Sequence, residues 1–385
     1  MKVSGLILLV LLFIPKVSLI SIKDYSQGIR VEDILLGIYL LYKIIEDYRL
    51  IKISKFMLIC FAYLLVIMLI SFNIGIQQQW IILVRLAEYF IIYDLCTNLI
   101  ENKYFCQKTL IIFILVNSFI AILQYFSLLG AFSSSEYINA GHGWLKRPYG
   151  LTGGPWELGF MLVLCLCGLY ILRYRNFLVF LSLNILTFFI LAICGTRANI
   201  AALILYYFCT ISVIKNGKTI LFSFIFSIIF LYIFIDQFID LQSIFRLNFV
   251  STLFKCYLDG IGSYASFEDF LINSDMSLYE RFLHWRNQYF LWNASNFSRF
   301  FGIGFNFLYM ESLPLRALFC AGIIGLILCA VYVLQLPIFL SIVLLCGGLT
   351  LDLFISAKIT TLFILVCLLL KVSSTTYSSK TLCQK

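Results

Sequence analysis

The feature that most constrains this chain is a succession of long apolar runs separated by short connectors. The runs reach about 18 to 24 residues, the length at which an α-helix crosses ~30 Å of hydrocarbon. They show no alternation of period two, so an outer-membrane β-barrel is excluded. Hydrophobic residues make up 62% of the sequence and charged residues 12%, against roughly 25% charged in a soluble domain. With a mean hydropathy of +1.00, the chain reads as an all-α polytopic membrane protein, not a globular one. The 13 cysteines are scattered and lie mostly inside apolar runs, where Cys behaves as a small apolar residue. With two histidines and no CxxC spacing, no metal centre is expected. The net charge of +9 follows from membrane orientation and is not a nucleic-acid signal.

The predicted spans are 3–22, 31–46, 55–74, 79–100, 107–130, 155–173, 176–194, 197–214, 218–236, 315–334, 336–351 and 353–371, about 12 helices. Lys2 and the apolar run after it mimic a secretory signal, but Pro15 and Lys16 interrupt the run and no small-residue cleavage site follows. It is therefore kept as a first span. Three regions result: 1–236 with helices one to nine and an external loop at 131–154, 237–314 as a long insert between helices nine and ten, and 315–385 with the last three helices and a tail. Lys43, Arg49, Lys52, Lys55, Lys103, Lys108, Arg173, Arg175, Lys215, Lys218 and Lys371 fall on the same side as Lys2. By the positive-inside rule both termini are cytoplasmic and the insert is external. No internal repeat is visible, which argues against the duplicated halves of secondary transporters.

The interval 239–314 is the only long one that cannot be a membrane helix. Within it, Asp275 to Trp292 predicts an amphipathic helix near 277–292. Ser277, Glu280, Arg281, His284, Asn287 and Gln288 share an arc of roughly 120°, with Phe282, Leu283, Tyr289 and Phe290 opposite. Ser277 and Glu280 have capping-box spacing.

Arg147, Arg197, Arg281, Arg286, Arg299 and Arg316 all land on the side where basic residues are disfavoured. Guanidinium groups suit bidentate contact with phosphate oxygens and keep their charge at any working pH. The plainer account is that each snorkels at the interface or pairs with an acid such as Glu157 or Glu280. That account is preferred for Arg286 and Arg299. Within the spans, Arg85 and Glu88 are expected to pair toward the bundle interior, while Asp352 and Lys358 near the last helix fit either a structural or a functional role. Tyr149, Trp156, Trp285 and Trp292 are of a kind that stacks on sugar rings, but they read first as an interfacial aromatic belt.

RPYGLTGGPWELGF (Arg147 to Phe160) resembles the arginine–glycine–proline–glycine pattern of the O-antigen polymerase and ligase superfamily, with Arg147, Gly150, Pro155 and Gly159 in its places. CGTRANIAAL is similar to the family's second marker, an arginine at the outer start of a helix, here Arg197. SLYERFLHW followed by FFGIGFN resembles an arginine before a Gly-x-Gly turn, filled by Arg281, Gly302 and Gly304. ESLPLRALFCAGIIGLIL resembles the helix that re-enters the membrane after the insert, with Gly322 and Gly325 at its spacing.

The resemblance implies a metal- and cofactor-independent glycosyltransferase on the outer face of the bacterial inner membrane. Its donor is a glycan on undecaprenyl diphosphate, its acceptor a second lipid-linked repeat unit, and its expected neighbours are a flippase and a chain-length regulator. Ligases of the family carry a His just ahead of the re-entrant helix; Glu311 stands there in this chain. The departure favours the polymerase branch and makes Glu311 the candidate general base, against the alternative of an ordinary partner for Arg316. Arg147, Arg197 and Arg281, with Arg316 as a fourth, are the candidates for the diphosphate, and Arg281 and His284 for the catalytic centre. The alternatives are a ligase that transfers polymer to lipid A core and a lipid-linked oligosaccharide flippase.

Overall fold

A computed structural model describes residues 2–15, 18–22, 24–47, 55–72, 80–130, 147–174, 176–211, 276–304, 312–350 and 356–382. In chain order the elements are α1 (Lys2–Phe13), β1 (Ser18–Ile22), β2 (Asp24–Arg30), α2 (Val31–Asp47), α3 (Lys55–Phe72), α4 (Trp80–Leu99), α5 (Lys103–Tyr125), α6 (Pro155–Ile171), α7 (Phe177–Cys194) and α8 (Arg197–Ile211). They continue as α9 (Met276–Asn293), α10 (Asn296–Phe301), α11 (Leu313–Leu334), α12 (Ile338–Thr350) and α13 (Ala357–Leu382). The predicted span 218–236, the loop at 131–146, the insert up to 275, Glu311 and Asp352 lie outside the described residues.

The first predicted span is corrected. α1 stops at Phe13, because Pro15 disfavours helical backbone in the residue before it and brings no N–H of its own. The following residues pair as a short antiparallel hairpin, Ser18 opposite Arg30 and Ile20 opposite Ile29. Asp33 then accepts from the Arg30 N–H at 2.8 Å, which fixes the start of α2.

Among the described residues, three helices are long and apolar enough to cross a membrane: α5, α7 and α11. Shorter apolar helical stretches run at 3–13, 58–67, 155–171, 198–210 and 338–348. The expected count of about 12 spans is thus not reached by these criteria.

The core is built around α6. Apart from Glu157 it carries no charged side chain, and every residue except Trp156 and Tyr170 is buried, as expected of a helix that is apolar all round. α5, α7, α8 and α13 pack around it. Gly159 permits close approach of α7 and α8: a Cβ there would lie 2.5 Å from Asn199 Nδ2 and 2.7 Å from Leu191 Cδ2.

The outer surface is apolar where a water-soluble bundle would be polar. Ile112, Leu115 and Phe119 on α5 are exposed, as are Ile34, Ile38, Leu41 and Ile45 on α2. The interior holds the polar groups. Tyr39 donates to Asp94 Oδ2 at 2.9 Å and Asn98 Nδ2 lies 3.2 Å from the same oxygen, tying α2 to α4. Glu88 is buried as expected; the Arg85 side chain lies outside the description.

Candidate functional site

Non-helical backbone can sit inside a bundle only if each of its polar groups finds a partner. The loop 148–154 is fully buried, and its bonds can be followed residue by residue. Gln124, in the last turn of α5, accepts from the Tyr149 N–H at 3.0 Å and the Gly150 N–H at 2.8 Å, and donates to the Gly150 carbonyl at 3.2 Å. Two turns earlier, Asn117 accepts from the Leu151 N–H at 3.0 Å. The Thr152 N–H reaches the Tyr149 carbonyl at 3.1 Å, and Thr152 Oγ1 lies 2.7 Å from that same oxygen. The Gly153 N–H donates to Glu157 Oε2 at 2.8 Å. Gly150 is in left-handed backbone, φ +61°, and a Cβ there would come within 2.8 Å of Asn117 Oδ1; only glycine fits both demands. Pro155 then opens α6, a position where its missing N–H costs nothing.

The last helix closes this loop from the other side. Lys358 is fully buried, and its ammonium donates to the Leu151 carbonyl at 2.8 Å and to the Ile14 carbonyl beyond the end of α1. Ser356, just before α13, donates to Glu157 Oε1. Glu157 is also fully buried, so one carboxylate joins the loop, α6 and α13.

Arg147 faces the turn between α7 and α8. Its Nε donates to the Cys194 carbonyl at 3.0 Å and its Nη2 to the Gly195 carbonyl at 3.3 Å. A guanidinium here satisfies carbonyls that the end of α7 leaves open and meets the negative end of the helix dipole. Cys194 Sγ lies 3.1 Å from the Pro148 carbonyl and strengthens the same link. Gly195 takes φ +62°, a common way to end a helix, and Arg197 begins α8 two residues later. Asn199 Nδ2 donates to the Trp156 carbonyl at 2.9 Å, tying α8 to the start of α6. The Arg147, Gly150, Pro155, Gly159 and Arg197 positions are therefore gathered in one construction. The Arg197 side chain lies outside the description.

A second construction holds the other motif glycines. α11 is broken at Gly322, which takes φ +68° and ψ −171°. A break of this kind frees the carbonyls of the preceding turn. Three of them find donors from elsewhere: Phe319 from the Ile303 N–H at 2.9 Å, Cys320 from the Gly304 N–H at 3.1 Å, and Ala321 from the Tyr63 hydroxyl at 2.6 Å. The Tyr63 ring lies 3.7 Å from where a Cβ on Gly325 would sit. Gly302, Gly304, Gly322 and Gly325 thus meet at one junction of α3, α10 and α11.

The remaining candidates are dispersed. His284 is exposed on α9, Arg316 is half-buried in the first turn of α11, and the Arg281 side chain lies outside the description. Arg299 is held by an asparagine, not by an acid, with Nε donating to Asn293 Oδ1 at 2.8 Å and Nη2 to the Asn293 carbonyl at 3.3 Å. Tyr149 is wholly buried and supports the loop from within. On α9, His284 and Asn287 of the polar arc are exposed, but Gln288 of that arc is buried, and Tyr289 and Phe290, assigned to the opposite side, are exposed. Sequence reasoning missed Asn117, Gln124 and Ser356. The first two carry a signal, since polar residues seven apart on an otherwise apolar helix share a face.

Among the described residues, no group of three or more His, Cys, Asp or Glu side chains is placed to hold a metal ion. What fold and site define together is a helical bundle with apolar helices outside and a buried, polar-lined loop within. No family model, no curated protein and no solved structure matches the chain.

Proposed function

We propose that this protein joins oligosaccharide repeat units carried on undecaprenyl diphosphate, at the outer face of a bacterial inner membrane that it crosses many times. The observation that carries the reading is the contact of Arg147 with the turn that begins α8. It brings the backbone positions of two arginines, 147 and 197, to one buried-loop construction built from the residues that resemble the polymerase and ligase pattern. The apolar outer surface supports the membrane setting. The orientation read from charge has support too: the contacts of Arg147 and Glu157 tie the C-terminal end of α7 and the N-terminal ends of α6, α8 and α13 to one layer. These are the ends that the positive-inside rule assigns to the outer face.

In the proposed reaction a sugar hydroxyl of the acceptor attacks the anomeric carbon of the donor. The bond from that carbon to the diphosphate oxygen breaks, and undecaprenyl diphosphate leaves with the electron pair. Arg147, Arg197, Arg281 and Arg316 are the groups assigned to stabilise the charge that develops on the leaving group. Glu311 takes the proton of the attacking hydroxyl, and His284 lines the sugar site.

The test is the size distribution of surface polysaccharide in cells lacking the protein. Core lipid bearing a single repeat unit is the expected outcome. Long polymer accumulating on undecaprenyl diphosphate with bare core would make the protein a ligase. Single units trapped on the inner leaflet would make it a flippase.

A further inference from the structure

The sequence places everything between the ninth and tenth spans outside the membrane, yet the described end of that insert is bonded deep into α11. Ile303 and Gly304 donate to the carbonyls of Phe319 and Cys320, one to two turns past the start of the helix at Leu313. At ~1.5 Å per residue that is about 10 Å along the axis. If α11 crosses a bilayer, the end of α10 sits below the level at which α11 enters it.

His284, Arg286 and Asn287 are exposed on α9, but toward the α10 end of the hairpin the side chains are distributed as that depth requires. α10 has three phenylalanines in six residues, and Phe297 and Phe300 are 50% and 53% exposed. Its one charged residue, Arg299, is half-buried and bonded back to Asn293 and Asn296. On α9, Phe290 and Leu291 are exposed while Gln288 is buried, and Trp292 packs its ring 5.9 Å from that of Phe319. A helix hairpin in water would turn Arg299 out and the phenylalanines in. Reversal of that order is the mark of an apolar surrounding.

We infer that the α9–α10 hairpin is embedded in the outer interfacial layer of the bilayer, with Phe297 and Phe300 against lipid acyl chains. The inference rests on α11 crossing a membrane and is independent of any transferase chemistry. Combined with the function proposed above, it sets the α9 backbone at the boundary between lipid and water, where a polyprenyl-linked diphosphate also lies.

The experiment replaces Phe297, and separately Phe300, by the photoreactive p-benzoylphenylalanine in the full chain. The variants are reconstituted in vesicles of phosphatidylethanolamine and phosphatidylglycerol, irradiated and read by mass spectrometry. The same replacement at Phe119, on the exposed face of α5, is the lipid-facing control. Phospholipid adducts at 297 and 300, as at 119, are the expected result. Crosslinks to another part of this chain or to a second copy would overturn the proposal, as would absence of adducts at both positions while Phe119 reacts. Should these variants fail to accumulate, a chain retaining only Trp292 of its five tryptophans gives a second measurement. Lipids brominated high on the acyl chain are expected to remove most of its emission, and unquenched emission would overturn the inference.

Discussion

Gly302 and Gly322 hold one backbone contact from opposite sides: a Cβ on Gly302 would run into the Cys320 carbonyl, and one on Gly322 into that of Phe300. Both glycines also take positive φ. Alanine at either position must move backbone, not a side-chain end, and adds strain of ~1–3 kcal/mol from the dihedral alone. Gly322→Ala is expected to lower the melting temperature of the purified protein in detergent markedly. Because the two residues share one contact, the double variant should fall little further than either single one. An unchanged melting temperature in Gly322→Ala would show that the contact carries no weight.

Tyr63 donates the hydrogen bond that the Ala321 carbonyl loses at the break in α11. Tyr63→Phe keeps the ring and removes only the hydroxyl. A loss of about 1–2 kcal/mol is expected, measured by thermal unfolding, and it should disappear in the background of Gly322→Ala.

Gln124 meets three backbone groups of the buried loop, whereas Asn117 meets one. Gln124→Leu strands two N–H groups and a carbonyl out of reach of water, at about 2–4 kcal/mol. Asn117→Leu should cost less. If the two variants unfold at the same temperature, the loop is not held as its hydrogen bonds imply.

The Glu157 carboxylate accepts from Gly153 and Ser356. Glu157→Gln keeps an acceptor for the Gly153 N–H, while Glu157→Ala keeps none and leaves a cavity in a packed helix start. The expected order of stability is wild type, then Glu157→Gln, then Glu157→Ala, the last two separated by at least ~1 kcal/mol. Proteolysis in the folded state is a sensitive readout, and equal cleavage rates for the two variants would refute the ordering.

Arg147 and Arg197 separate by what their loss does. Arg147→Ala removes the cap of α7 as well as a charge, so melting temperature and polymer length should fall together. Arg147→Lys should restore little, since a single ammonium does not reproduce the two-point contact with the Cys194 and Gly195 carbonyls. Arg197→Ala is expected to abolish polymer at an unchanged melting temperature. A stable, active Arg197→Ala protein would remove Arg197 from the proposed diphosphate site.

Much of this was legible from local chemistry. Pro155 after two glycines marks the start of α6, Gly195 the end of α7, and the apolar runs locate most helices within a few residues. Other parts were not. The run 3–22 is kept as one span despite its interruption at Pro15 and Lys16, and it is Pro15 that decides where α1 ends. The end of α9 departs from its pattern because that pattern is scored against water, whereas the exposed side there carries Phe290 and Leu291. Lys358 illustrates the commonest obstacle. Its partners, Ile14 and Leu151, are main-chain carbonyls, and no residue type announces a free carbonyl.

The closure of the 148–154 loop also sets an order of events during synthesis. Its floor, Asn117 and Gln124, leaves the ribosome before the loop does. Its lid arrives late, for Ser356 follows its partner Glu157 by 199 residues and Lys358 follows Leu151 by 207. Until α13 is made, the Glu157 carboxylate and the Leu151 carbonyl await the partners that α13 brings. The helix made long after the loop is thus the one that completes it, and quality control acting on the loop would have its checkpoint at α13.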